Sequence, residues 1–246
     1  MTVDPCTTSP ALGLVTIGQA PRTDLAGDIA PLLGGVHVRE HGALDGDVLD
    51  GEEGARTRAR LAPAPDEPPL VSRLRDGGSV VLGHEALAPR MRNAVARCEA
   101  DGAGATLLLC TGNFPPIPAT RPVLYAEPLV QRGVRAVVGD AEVGVVCPLP
   151  EQADDVTRRW AALLPGRVLA EAADPYAPDA GEQLARAASH LAARGARWLV
   201  LDCIGYTEPM RRTAARAAGR PALLARALAV RLAAEAATAV GPAGRG

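Results

Sequence analysis

The chain has 246 residues, 48% of them hydrophobic, and a net charge of −2 at neutral pH: enough for one large or two small packed domains, with no charge excess to direct it to nucleic acid. It contains no lysine, which excludes Schiff-base and pyridoxal-phosphate chemistry, and its five cysteines include no Cys-x-x-Cys pair and no histidine at ligand spacing, so neither a metal nor another cofactor is expected. With no leader-like segment and no apolar run of about 18 residues, the expectation is a soluble, reduced, cytoplasmic protein without a membrane partner.

Residues 1–10 are polar, include Cys6 and are read as a disordered tail. An unbroken apolar run over 11–18, ended by Gly18, has the pattern of a buried strand. In the following Gln19-Ala20-Pro21-Arg22-Thr23-Asp24, the proline and a Thr23 or Asp24 cap predict a helix over 24–33. A short strand is expected at 36–40, then a polar loop over 41–68 carrying one helix near 54–61. Asp76-Gly77-Gly78 between apolar segments 70–74 and 79–82 predicts a hairpin, because these residues accept positive φ. Leu87, Met91, Ala94, Val95 and Cys98 recur at helical spacing over 86–100, leading into a strand at 106–110. Beyond the proline-rich 114–122, strands at 143–147, 167–171, 198–203 and 221–224 alternate with helices. These helices follow Glu127-Pro128 and cover 153–164, 180–194, 209–218 and 226–236. The alternation predicts mostly parallel sheets, with 114–122 as the joint between halves at 11–115 and 123–224.

Each half ends a buried strand in Cys-x-Gly: Leu109-Cys110-Thr111-Gly112-Asn113 and Asp202-Cys203-Ile204-Gly205-Tyr206-Thr207. The carboxyl ends of parallel strands are where open α/β sheets bind ligands, and a helix N-terminus beyond them favours a thiolate. Two thiols across a cleft can move a proton α to a carboxylate, one removing it and the other returning it on the opposite face. Thr111, Gly112, Asn113, Gly205, Tyr206 and Thr207 are candidates to bind the substrate and hold its developing negative charge. Arg22 is a candidate carboxylate clamp, with Thr16 and Gln19 in the same loop.

Structural alternatives stand beside these roles. A cysteine closing an apolar strand is commonly a small core residue, the reading taken for Cys98 and Cys147. Arg22 can instead pair with Asp24. Asp202 is expected to face away from the thiol side and to need a buried partner. His84 reads as a helix-start residue or a general base, and Glu127 as a cap or a cleft residue. Arg211, Arg212, Arg216, Arg226 and Arg231 read as solvated faces or oligomer contacts.

The segments Leu14-Val15-Thr16-Ile17-Gly18-Gln19-Ala20-Pro21-Arg22 and Leu201-Asp202-Cys203-Ile204-Gly205-Tyr206 resemble the AroM family, which is similar to the aspartate/glutamate/hydantoin racemase superfamily. The resemblance runs from about residue 12 to residue 236 and takes in the Asp-Gly-Gly hairpin. It implies an α/β fold of two similar Rossmann-like or flavodoxin-like subdomains with mostly parallel sheets, related by a pseudo-twofold axis, with the active site in the cleft between them. It also implies a last helix (225–240) packed back on the first half, and a homodimer. In the racemases, Cys-Asn-Thr and Cys-Thr-His motifs carry the two thiols and bind the substrate carboxylate. By position, Cys110-Thr111-Gly112-Asn113 matches the first and Cys203-Ile204-Gly205-Tyr206 the second. The second lacks the Thr-His pair, and Gly18-Gln19-Ala20-Pro21-Arg22 replaces an Asp-Ser-Gly loop, which argues against glutamate or aspartate as substrate. The expected function is a cofactor-independent racemase or isomerase acting α to a carboxylate or carbonyl of a small molecule, with Cys110 and Cys203 catalytic. The alternatives are a one-cysteine isomerase, lyase or decarboxylase of this fold, and a binding or regulatory protein without turnover.

Overall fold

The computed structural model describes residues 11–239, so the tail expected at 1–10 lies outside the described residues. The first half runs β1 (Ala11–Thr16), α1 (Thr23–Ile29), β2 (His37–Gly42), α2 (Gly51–Leu61), β3 (Leu70–Arg73), β4 (Ser79–Leu82), α3 (His84–Ala100), β5 (Ala105–Leu109), β6 (Val123–Tyr125) and α4 (Ala126–Val138). The second runs β7 (Val143–Cys147), α5 (Ala153–Ala161), β8 (Val168–Ala172), α6 (Ala180–Ala193), β9 (Trp198–Leu201), α7 (Glu208–Ala218), β10 (Ala222–Leu224) and α8 (Ala225–Ala239).

Each half forms a four-stranded parallel sheet, in the orders β2-β1-β5-β6 and β8-β7-β9-β10. Numbered within its own half, each sheet reads 2-1-3-4, so the fold is one α/β unit built twice. β1, β5 and β7 are buried along their whole length, as continuous apolar runs in two-faced parallel sheets must be. The third strand of each unit, β5 or β9, is central and delivers Cys110 or Cys203 at its carboxyl end. Between β2 and α3 the first half inserts α2 and the β3–β4 hairpin, whose turn uses Gly77 at φ 86°.

Four local features differ from the sequence-based expectations. The helix expected over 24–33 stops at Ile29 and continues as the 3-10 turn Ala30–Leu32, where Pro31 supplies no N–H. Neither Thr23 nor Asp24 caps it; Arg22 occupies that position without a side-chain cap, and Asp24 holds Arg22 instead. Residues Val123–Tyr125 form a strand that the sequence did not reveal and pair in parallel with β5, so the first sheet continues past position 123, where the second half was expected to start. No helix follows Cys110, because Pro115, Pro116, Pro118 and Pro122 crowd the link to β6, whereas α7 fills the equivalent link in the second half.

One apolar core runs through both halves, joining Leu12, Leu14 and Leu107 to Val143, Val145 and Val200. α4 and α8 pack together within it. α8 also packs on β1 and β5 of the first sheet.

Candidate active site between the two halves

The carboxyl ends of β5 and β9 meet at a cavity of about 350 Å³, a volume suited to a small metabolite. Cys110 and Cys203 both line it, one from each half. Their turns share one geometry: the Gly112 N–H points at Cys110 Sγ at 3.3 Å, and the Gly205 N–H at Cys203 Sγ at 3.3 Å. Both glycines are required by close approach. A methyl group on Gly112 would lie 2.7 Å from Leu70 Cδ2, and one on Gly205 2.6 Å from Tyr176 Oη. Across the cleft, Thr111 Oγ1 donates to the Asp202 carbonyl at 3.2 Å and ties one thiol turn to the other.

The thiols are not the lowered-pKa groups that a flanking helix would produce. Burial pushes Cys110 up to about 12 and Cys203 up to about 11, each opposed by its glycine N–H. The charges around them differ. Asp202 pushes both up; Glu127 adds to the push on Cys110, whereas Arg22 and Arg226 pull Cys203 down.

Arg22 is buried and lines the cavity while binding Asp24 bidentately, Nε at 2.8 Å and Nη2 at 2.7 Å. Its Nη1 is left toward Thr16 Oγ1 at 3.3 Å and Ser72 Oγ at 3.5 Å. Asp24 therefore fixes the guanidinium at the cavity wall, as the structural alternative for Arg22 expects. The loop before it is fixed by Asp45, which accepts from the Ala20 N–H at 2.8 Å, and by the Arg75 N–H, which donates to Gln19 Oε1 at 3.2 Å.

Of the other candidates, Thr111, Gly112, Asn113 and Gly205 line the cavity, while Thr16, Gln19, Tyr206 and Thr207 do not. Thr16 is fully buried beneath Arg22, and Gln19 is spent on Arg75. Tyr206 is buried, with its hydroxyl donating to the Ala173 carbonyl at 2.6 Å, and Thr207 caps α7 by accepting from the Met210 N–H at 3.3 Å. Both residues brace the Cys203 turn. Cys98 and Cys147 are core residues.

Several cavity residues were not foreseen. Asp202, expected to face away, lines the cavity; it is buried, and Oδ2 accepts the Trp160 indole N–H at 2.7 Å. Burial raises its pKa, with Trp160 and Arg159 opposing. Arg159 enters from α5, paired with Glu127 and with Asp155 at 2.8 Å. Its run Asp154-Asp155-Val156-Thr157-Arg158-Arg159 reads as an ordinary solvated helix face, and only its place beside the buried Val156 and Trp160 marks it. Tyr176 closes the Cys203 side, with the Arg73 guanidinium 5.8 Å above its ring. His84 starts α3, as expected, and lines the cavity; its ring packs against Phe114 at a 43° tilt with centroids 5.3 Å apart, and burial lowers its pKa. Arg226, read as solvated, is instead 1% exposed, held among carbonyls and Asp28. Among the described residues, no group of three His, Cys, Asp or Glu side chains is placed to hold a metal ion, and no helix is long and apolar enough to cross a membrane.

A doubly substituted arylmalonate decarboxylase in its liganded form has this fold at 15% identity, covering 93% of each chain with a TM-score of 0.60. Allantoin racemase from Klebsiella pneumoniae matches at 14% identity over 96% of this chain and 91% of its own, with a TM-score of 0.59. Aspartate racemase from Picrophilus torridus matches at 10% identity over 94% and 95%, also with a TM-score of 0.59. At these identities the likeness is one of fold. No curated protein matches the chain. The family model for the AroM protein matches residues 12–237, and the chain belongs to the AroM family.

Proposed function

We propose that this protein is a cofactor-independent enzyme of racemase or isomerase type, moving a proton at a carbon α to a carboxylate or carbonyl of a small molecule. The observation that carries the reading is the pair of thiols, Cys110 and Cys203, brought by equivalent strands to one cavity and held by equivalent glycine N–H groups. Cys203 as thiolate takes the α-proton, leaving an enediolate-like anion. Cys110 as thiol returns a proton from the other side, so the pair ends with Cys203 protonated and Cys110 ionised. The Arg22 guanidinium and the backbone of 111–113 bind the substrate's oxygens. The racemases and the decarboxylase that share the fold support chemistry at such a carbon.

Burial of both thiols also favours a second reading, in which one thiol acts only as proton donor after loss of carbon dioxide. Incubation in D₂O with amino acids, hydantoins, hydroxy acids and substituted malonates, followed by NMR, distinguishes the two. Exchange of the α-proton in both enantiomers supports the two-thiol reading; one-handed deuteration with release of carbon dioxide supports the second. Cys110→Ser and Cys203→Ser should each slow turnover by about 10²–10⁴-fold, the range for losing a general acid or base, and for opposite enantiomers. Absence of both exchange and decarboxylation across the panel overturns the enzymatic proposal.

A further inference from the structure

The two halves carry equivalent helices whose second residues bear opposite charge. β6 leads into α4 through Leu124-Tyr125-Ala126-Glu127, and β10 leads into α8 through Leu223-Leu224-Ala225-Arg226. Ala126 and Ala225 are both fully buried at the first helical position. Each second residue reaches into the opposite half. Glu127 of α4 pairs with Arg159 of α5, and Arg226 of α8 pairs with Asp28 of α1 at 2.9 Å. α1 and α5 are equivalent in turn, each following the first strand of its unit. The same bridge between halves is built twice, with its polarity inverted.

The first bridge ends on Arg159, which lines the cavity with Cys110, and the second ends on the Cys203 turn. Arg226 donates from Nε to the Ile204 carbonyl at 2.8 Å and from Nη2 to the Gly205 carbonyl at 3.1 Å, within the Cys203 turn. Asp28 also accepts the Glu208 N–H at 3.0 Å, so α1, α7 and α8 all converge on that turn. Glu127, Asp202 and the other thiol push the Cys110 ionisation up; Asp202 pushes that of Cys203 up, and Arg22 and Arg226 pull it down. Tyr176, Tyr206 and Cys147 are the remaining titratable neighbours of Cys203, and His84, Arg159, Asp155 and Glu67 lie along the cavity.

We propose that this inverted pair of bridges differentiates the two thiols: Arg226 holds the Cys203 turn and Glu127 lies on the Cys110 side through Arg159, so that in the resting protein Cys203 is the thiolate and Cys110 the thiol. The inference rests on the two-thiol reading above.

Ultraviolet thiolate absorbance, titrated in the full chain against Cys110→Ser and Cys203→Ser, separates the two ionisations without turnover. Glu127→Gln should lower the Cys110 ionisation by about one pH unit, tenfold in thiolate fraction at fixed pH. Arg226→Gln should raise that of Cys203 by a similar amount, with Arg226→Lys recovering most of it. If Arg226→Gln does not fold, Asp28→Asn tests the same bridge: without its counter-charge, Arg226 should lower the Cys203 ionisation. Unmoved titrations in Glu127→Gln and Asp28→Asn, or Cys110 ionising before Cys203 in the wild type, overturn the assignment. Titrations that move as stated in a protein that exchanges no α-proton would support the differentiation of the thiols and refute only the catalytic reading.

Discussion

Asp202 is a buried carboxyl at the cavity wall. It is 5% exposed, shares one strong hydrogen bond with Trp160, and ionises at a raised pKa because burial outweighs Trp160 and Arg159. A carboxyl whose folded pKa lies above its unfolded value stabilises the fold below the unfolded pKa and loses that contribution as pH rises through the folded value. Asp24 and Glu208 have the opposite sign. Burial resists Asp24's ionisation but Arg22 outweighs it, and Arg211 lowers Glu208, so their contribution is lost as pH falls. Asp202→Asn keeps an acceptor for Trp160 and removes the buried charge. It should be more stable than wild type in urea at pH 8 and indistinguishable at pH 4, to within about 0.5 kcal/mol. Because Asp202 also pushes up both cavity thiols, the same variant should ionise them earlier. Equal stability at both pH values would mean that folding does not shift the ionisation of Asp202. The two glycines give a second prediction at this scale. Gly112→Ala and Gly205→Ala should each cost about 1–3 kcal/mol from overpacking, against Leu70 and Tyr176 respectively, read from urea midpoints. Cys-x-Gly was visible in the sequence because spacing alone reveals it. Arg159 and Tyr176 were not, because their roles depend on which half they face, and that is set by tertiary packing.

At the scale of elements, the unpartnered periodicity of α4 and α8 explains how the halves join. Ala126, Val130, Val134 and Val138 are the buried residues of α4, and Ala225, Ala229, Ala233 and Ala237 recur at the same interval on α8. Stripes at every fourth residue are the ridges by which helices interdigitate, and alanines let the helices approach closely. Ala233 is fully buried, so Ala233→Leu has no room and should cost about 1–3 kcal/mol by chemical denaturation. The exposed Leu232 at the adjacent position is the control, and Leu232→Ala should change stability by less than about 0.5 kcal/mol. Elements with long apolar runs or helical periodicity were readable from the sequence to within a few residues. β6 was not: three half-buried residues after a proline-rich link show no alternation, and only their pairing with β5 makes them a strand.

At the scale of the molecule, the repeated 2-1-3-4 order brings the Cys-x-Gly turn of each unit to one cavity. Each unit brings one thiol and one arginine to the cavity, Cys110 with Arg22 and Cys203 with Arg159, and neither encloses it alone. The repeat is faint in the sequence because the first unit inserts α2 and a hairpin while the second fills its last link with α7, which offsets equivalent residues. The core that joins the units is continuous, so cooperative unfolding follows: exposing Leu14 or Leu107 in one sheet removes the packing of Val145 and Val200 in the other. Trp160 reports on the second half, and Cys98, fully buried against β1, reports on the first. Trp160 fluorescence and alkylation of Cys98 should therefore share one urea midpoint, and Ala233→Leu should shift both together. Two separated midpoints, with Ala233→Leu moving only one, would show that the units fold independently and that the cleft forms by docking.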